Sequence, residues 1–280
     1  MSKINVMVNG LPGSVSKVIA RNIASDERFT LIPYSLTGPE ITAESCLVDD
    51  TNIFLIRPDM RQTVMDDIIT SYVHLICIDF THPTAVNSNA QFYCGRSIPF
   101  VMGTTGGDRE ALLATVENSG VAAVISPNMA KQIVGFQAMM AWAADNFPGL
   151  FNGYHMTVRE SHQKGKADTS GTAKAMVGYF NKLGTDCSTE EIEQERDPEI
   201  QAREWGVPAE HLTGHGWHTY TLTSADQTVT FQFTHNVNGR EIYASGTLDA
   251  LIFLDKKIQQ GSRGTVFNMM DVIKSRSDFI

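Results

Sequence analysis

KINVMVNGLPGSVSKVIARNIA, residues 3–24, decides the fold. Residues 3–8 alternate and are β-prone, Asn9 through Ser14 is turn chemistry, and VSKVIARNIA spaces its apolar residues for a helix. Strand, glycine loop and helix in this order is the arrangement in which main-chain N–H groups and a helix N-terminus hold a pyrophosphate. Gly10, Leu11, Pro12, Gly13, Ser14 and Val15 are therefore candidate dinucleotide contacts, although the third small position is Ser16 rather than glycine.

Working outward, 29–34, 53–56, 74–78, 98–102 and 121–125 read as short apolar strands, with helical stretches around 60–70, 84–93 and 108–118. Strands alternating with helices predict a parallel sheet covered on both faces. Beyond Ser126-Pro127-Asn128 the character changes. The pattern predicts a long helix (131–146), a strand (153–160), a charged loop, a helix (172–183), an acidic helical stretch (189–204) and two alternating strands (216–223 and 228–235) joined by Ser224 to Gln227. After Arg240 it returns to helix, with a final short helix at 267–274. The expected fold class is α/β: an N-terminal Rossmann-like, doubly wound parallel sheet (1–127, with helices of 241–280 packing back on it) and a smaller α+β substrate domain (128–240).

The 280 residues are 42% hydrophobic and 19% charged, and no apolar run approaches the length of a membrane span. A net charge of -9 argues against nucleic acid as a partner, leaving room for a local basic pocket for a small anion. Cys46, Cys77, Cys94 and Cys187 form no CxxC pair, so neither a disulfide framework nor a metal site is indicated. The N-terminus lacks the apolar segment of a signal peptide. The expected compartment is the cytoplasm, or the plastid stroma for a plant protein whose transit peptide is absent from this sequence.

An acid that grips a ribose 2'-hydroxyl usually follows the second strand, and here Tyr34-Ser35-Leu36-Thr37-Gly38 stands instead. Hydroxyls of Ser35 and Thr37 would hold a 2'-phosphate without charge repulsion, which favours NADPH over NADH as cofactor. The alternative, that both residues only shape a turn, stays open. Asp79-Phe80-Thr81-His82-Pro83 and Gly103-Thr104-Thr105-Gly106 follow presumed strands at the same sheet edge, where ligands of doubly wound sheets collect.

The densest chemistry is ESHQKGKADTSGTAKAM, residues 160–176. Ser170-Gly171-Thr172 opens a helix and forms an anion cradle, Lys166 stands four residues ahead of Ser170, and His162 four ahead of Lys166. Histidine is the side chain suited to moving a proton near neutral pH. A solvated loop with an N-capped helix is the bland reading of the same residues.

Five ordered segments resemble the 4-hydroxy-tetrahydrodipicolinate (dihydrodipicolinate) reductase family: the Gly10–Ser16 loop, Asp79 to Pro83, Gly103 to Gly106, Glu160 to Ala173, and His235 through Arg240. They span almost the whole chain. Glu160-Ser161-His162-Gln163, Arg196-Asp197-Pro198 and Gly206 through Leu212 are similar to the plant-type branch. Gln163 stands where the bacterial pattern has a second histidine, and Asp168-Thr169-Ser170 shortens the usual run before the Gly-Thr.

The resemblance implies reduction of a cyclic imine dicarboxylate in the diaminopimelate route to lysine, with hydride delivered from NADPH or NADH to ring carbon C4. It implies His162 and Lys166 as the catalytic pair. Thr105, Gln163, Ser170, Gly171, Thr172 and Arg240 would contact substrate. Asp79, Phe80, Thr81, Gly103, Thr104, Thr105, Pro127, Asn128 and Met129 would join the glycine loop, Ser35 and Thr37 in holding the cofactor. A homo-oligomer, dimer or tetramer, is expected. A Rossmann-lobed redox-sensing regulator without catalysis is the competing class, and it predicts a degenerate second-lobe site. An aspartate-semialdehyde-type dehydrogenase would need a nucleophilic cysteine there; Cys187 is the candidate, and it lies beside an acidic stretch that disfavours the thiolate.

Overall fold

A computed structural model describes residues 3–275. In chain order, β1 (Ile4–Asn9), α1 (Ser14–Ser25), β2 (Phe29–Leu31), β3 (Tyr34–Leu36), β4 (Ser45–Val48), β5 (Thr51–Ile56), α2 (Arg61–Ser71), β6 (Leu75–Asp79), α3 (Val86–Gly95), β7 (Phe100–Met102), α4 (Arg109–Glu117) and β8 (Ala122–Ile125) build the first part. Then come α5 (Lys131–Asn146), β9 (His155–His162), α6 (Gly171–Lys182), β10 (Glu193–Glu195), the short α7 (Pro198–Ile200), β11 (His215–Thr223) and β12 (Thr230–Asn238). The last elements are α8 (Glu241–Gln259), β13 (Thr265–Phe267) and α9 (Met269–Ser275).

The chain forms two compact units, Met1–Lys131 with Glu241–Ile280, and Gln132–Arg240. The first division falls at Lys131 rather than at 127 because the intervening residues are tied to α8. A Cβ on Gly246 would stand 1.7 Å from the Met129 carbonyl oxygen, so only glycine lets the helix lie against that segment. Lys131 forms an ion pair with Asp249 on the same helix.

In the first unit, β13-β8-β7-β6-β1-β2 form a six-stranded sheet whose neighbouring pairs are all parallel. Every residue of β6 and β8 is buried, as expected of strands covered on both faces. The strand expected over 29–34 is two strands in different sheets. Ile32 still donates to the Val6 carbonyl, but Pro33 has no N–H to continue the ladder, and β3 instead joins β5 and β4. The sequence pattern does not mark the brief strands β4 and β13; β13 ends at Phe267, the first residue of the expected last helix. Residues 276–280, included in the expected helical tail, lie outside the described residues.

In the second unit the sheet order is β10-β9-β11-β12, with β9, β11 and β12 antiparallel and β10 parallel to β9. The acidic stretch 189–204 is not one helix. Ser188 and Glu191 form a reciprocal cap around a single 3-10 turn, Glu193–Glu195 pairs with β9, and Asp197 is held extended before Pro198.

Register explains where the chemistry sits. On one face of the sheet, Met156 pairs across with Leu222, and Leu222 with Phe231; the next row is Val158, Tyr220 and Phe233. Apart from the exposed Phe231, these rows pack with Ala173, Met176, Val177 and Phe180 of α6 as an apolar core. The third row is Glu160, His218 and His235, and the fourth sets His162 opposite Gly216. The period of two that builds the core thus delivers a line of titratable side chains at its end.

Candidate active site

At the carboxyl ends of β1, β6 and β7 the loops are held together by a buried network. Asp79 accepts from Thr81 Oγ1 (2.7 Å), Tyr93 Oη (2.8 Å), Asn89 Nδ2 (2.9 Å), Thr104 Oγ1 (2.9 Å) and the Thr81 N–H (3.2 Å). Its carboxylate has no exposed surface, so Asp79 acts as the hub of these loops rather than as a surface contact. Burial and the nearby Asp79 charge hold the Tyr93 phenol well above its usual range.

Gly10 has φ +101°, and a Cβ there would meet the Phe80 carbonyl oxygen at 2.2 Å. A Cβ on Gly103 would likewise stand 2.2 Å from the Phe80 ring. The two glycines let the three loops close on one another. Gly13 caps α1 without a side-chain hydrogen bond, the first turn carries no acid, and Gly13 and Ser14 are exposed. Its first N–H groups thus stand at an exposed edge without acids, which suits a phosphate.

The Ser35 and Thr37 hydroxyls turn into the glycine loop. Both are buried; Ser35 Oγ accepts from the Leu11 N–H (3.3 Å) and Thr37 Oγ1 donates to the Leu11 carbonyl (2.9 Å). Their hydroxyls shape the glycine loop and are not free for a phosphate. Arg61 Nη2 on α2 donates to the Thr37 carbonyl (3.1 Å), which sets a guanidinium beside this turn. Leu11 and Met129 are buried, Pro12, Val15, Phe80, Thr81, Thr104 and Asn128 half-buried, and Thr105 and Pro127 exposed.

In the second unit Glu160 is fully buried at the end of β9. Arg196 forms an ion pair with its Oε1, and Oε2 accepts the Ser170 N–H at 3.0 Å. Arg196 also donates from Nε to the Lys166 carbonyl (2.9 Å), fixing the loop that carries the lysine. The first N–H of the expected anion cradle is therefore spent on Glu160. Gly171 is exposed and Thr172 half-exposed at the α6 start. Lys166 pairs with the exposed Asp168 (2.8 Å), which lowers the Asp168 carboxyl below the usual range, and Gln163 closes the intervening turn through its carbonyl.

His162 is bracketed by β11: Nδ1 lies 3.1 Å from the His215 carbonyl oxygen and Nε2 3.3 Å from His218 Nε2. Burial, then the charges of Arg196 and Lys166, push its pKa down to about 4. His218 is held well below its usual value by burial and His235, and burial brings His235 to about 4. Arg240 follows the left-handed Gly239 at the end of β12 and lies against Gly214, where a Cβ would stand 2.7 Å from its Nη1. Glu160, His162 and His218 bring possible ligand atoms within 4.8 Å of one another. With Arg196 neutralising Glu160 and Ser170 filling its other oxygen, the group reads as a hydrogen-bonded network rather than a metal centre.

The sequence alone assigns no role to Glu160, Arg196, His215, His218 or His235. His218 and His235 do stand at alternating strand positions with aromatic residues, but only the register shows that they are neighbours.

Two family profiles match the chain: "Dihydrodipicolinate reductase, N-terminus" over residues 4–129 and "Dihydrodipicolinate reductase, C-terminus" over 133–273. A protein of Oryza sativa subsp. japonica named "Probable 4-hydroxy-tetrahydrodipicolinate reductase 1, chloroplastic" is 46% identical over 269 residues, 96% of this chain and 78% of the relative. "4-hydroxy-tetrahydrodipicolinate reductase 2, chloroplastic" of Arabidopsis thaliana is 45% identical over 97% of this chain and 77% of its own length. The solved structure "Dipicolinate bound Dihydrodipicolinate reductase from Paenisporosarcina sp. TG-14" shares the fold, with a TM-score of 0.64 at 16% identity over 95% of this chain and 98% of that one.

Proposed function

The chain belongs to the dihydrodipicolinate reductase family, and we infer that it reduces 4-hydroxy-tetrahydrodipicolinate with a pyridine nucleotide in the diaminopimelate route to lysine. The observation that carries the substrate half of this reading is the basic end of the second sheet. His162, Lys166 and Arg196 gather beside the start of α6 in a protein whose overall charge is -9. That cluster is intact, which opposes the reading of a regulator without catalysis. A nicotinamide nucleotide, when bound, supplies the hydride.

The chain's own residues do the rest. The glycine loop and the open first turn of α1 fit a pyrophosphate. Phe80, Thr81, Gly103, Thr104, Thr105 and the 127–129 segment follow strands at the same sheet edge and serve the nicotinamide half. In the second unit one substrate carboxylate takes the place of Asp168 on Lys166 and rests on the N–H groups of Gly171 and Thr172, while Arg240 binds the other. Thr105, Gln163 and Ser170 complete the substrate contacts.

Conjugate reduction leaves an electron-rich ring that must receive one proton. In the free protein His162 is neutral at pH 7, because burial first, and then the charges of Arg196 and Lys166, disfavour its cation. A bound dianion offsets those charges and raises its proton affinity, so His162 charges with substrate in place, and either it or the Lys166 ammonium provides the proton. Dipicolinate, the planar dianion, tests the site by calorimetry. Arg240→Ala should weaken its binding roughly tenfold or more, the range for losing a charged carboxylate partner. Unchanged affinity would place Arg240 outside the site.

NADPH is the preferred nucleotide on this reading, with Arg61 beside the Thr37 carbonyl as the cation for a 2'-phosphate. The Glu40 carboxylate, 2.3 Å from where a Gly38 Cβ would lie, opposes it, so the preference should be about tenfold. Direct titration of both nucleotides measures it; tighter NADH overturns the assignment. The exposed Met139, Trp142 and Leu150 of the second unit support assembly into a homo-oligomer. The chloroplastic names of the plant relatives support the plastid stroma over the cytoplasm as compartment.

A further inference from the structure

Both ring nitrogens of His162 are engaged, and their partners fix where its hydrogens lie. Nδ1 faces the His215 carbonyl at 3.1 Å, and because a carbonyl only accepts, Nδ1 carries the hydrogen. Neutral His162 therefore presents a bare Nε2. That atom faces His218 Nε2 at 3.3 Å. Two bare or two protonated nitrogens would repel, so a single proton lies between them, and in the neutral pair it belongs to His218.

The surroundings of His218 leave it free to change sides. Its Nδ1 is buried with no hydrogen-bond partner among the described residues, so nothing there fixes the tautomer. Its Nε2 lies 3.8 Å from Glu160 Oε2, a carboxylate already tied to Arg196. The groups facing His162 are Glu160 on its own strand, Lys166 on the following loop, Arg196 after β10, and His215 and His218 on β11. His235, stacked at 4.6 Å, and Tyr220 stand beside His218.

We propose that His218 is a positioning residue for the reduction. It donates Nε2–H to His162 in the free enzyme and accepts from His162 Nε2–H once a bound dianion has charged that ring, holding the ring in place until that hydrogen turns to the substrate. The net change is one proton taken from solvent, ending with hydrogens on His218 Nδ1 and His162 Nε2. This deepens the reading of His162 above and rests on it.

The test is the pH dependence of kcat for wild type, His218→Leu and His218→Gln, each confirmed folded by circular dichroism. Leucine removes the acceptor; glutamine keeps an amide of similar reach that donates in one orientation and accepts in the other. His218→Leu should lower kcat by about tenfold or more with little change in substrate KM. Because a hydrogen bond to a charged ring is stronger than one to a neutral ring, it should also move the pH of half-maximal kcat down by about one unit. His218→Gln should restore most of the rate and the profile. An unchanged profile in His218→Leu, or equal damage in both variants, overturns the proposal.

Nitrogen NMR of labelled wild-type protein gives a reading independent of any variant: His162 should be the Nδ1–H tautomer, and an Nε2–H tautomer overturns the assignment. A fully active His162→Ala would instead sink the underlying reading of the site. An impaired His162→Ala beside a normal His218→Leu sinks the His218 proposal alone.

Discussion

Replacing Arg196 with methionine lowers the unfolding free energy by about 3–5 kcal/mol, the cost of leaving a buried charge without its partner. The carboxylate in question is Glu160, whose side chain has 0% of its surface exposed, against 17% for Arg196. Methionine keeps the length of the stem but removes the guanidinium, which also bonds the carbonyls of Lys166 and Glu195. The loss should therefore appear both as lower stability and as a displaced Lys166 loop. Adding Glu160→Gln should recover part of the stability, because the unpaired charge is then gone. Chemical denaturation at neutral pH measures both variants. A cost below about 1 kcal/mol for Arg196→Met, the scale of an exposed ion pair, would mean that Arg196 does not hold the buried carboxylate.

His162→Ala and Lys166→Ala each lower kcat by about 10²-fold or more, the range for losing a positioned proton donor or a fixed charge. Lys166→Ala should in addition raise substrate KM, since its ammonium pairs with Asp168 in the free protein and is free to exchange that partner for a substrate carboxylate. The sign of the pH effect follows from the charges around His162. Burial, Arg196 and Lys166 depress its pKa to about 4, so in the free protein it takes up a proton only as pH falls through that value. A bound dianion screens the same cations and raises the midpoint, and kcat should fall as pH rises through the raised value. Histidine NMR titrations with and without dipicolinate follow the shift directly. Near-normal turnover in both alanine variants would remove the pair from the chemistry.

The first unit was legible because local patterns specify it. The strand, loop and helix of residues 3–24 appear as β1, the glycine turn and α1, and the apolar runs at 74–78, 98–102 and 121–125 are strands of the parallel sheet, whereas 53–56 falls in β5 of the separate three-stranded sheet. Errors came where one residue decides between neighbours, as at Pro33, which moves Tyr34–Leu36 to another sheet. The acidic stretch is helix-prone in its glutamates, but Pro198 interrupts it, and the pairing of Glu193–Glu195 with β9 is a long-range event that no local pattern shows. In the site, the spacing of His162, Lys166 and Ser170 could be read along the chain. The partners that determine their charge could not: Arg196, His215 and His218 reach His162 only through strand register. Ser35 and Thr37 carry a related lesson, since a hydroxyl's role depends on whether it faces solvent or the loop it supports, and burial decides for the loop.

The most direct measurement follows NADPH and NADH oxidation by the purified protein in the presence of enzymatically generated 4-hydroxy-tetrahydrodipicolinate. The account predicts oxidation that requires the substrate, favours NADPH, and drops by about 10²-fold in His162→Ala and in Lys166→Ala. Folded wild-type protein that binds nucleotide yet oxidises neither cofactor with this substrate would contradict it.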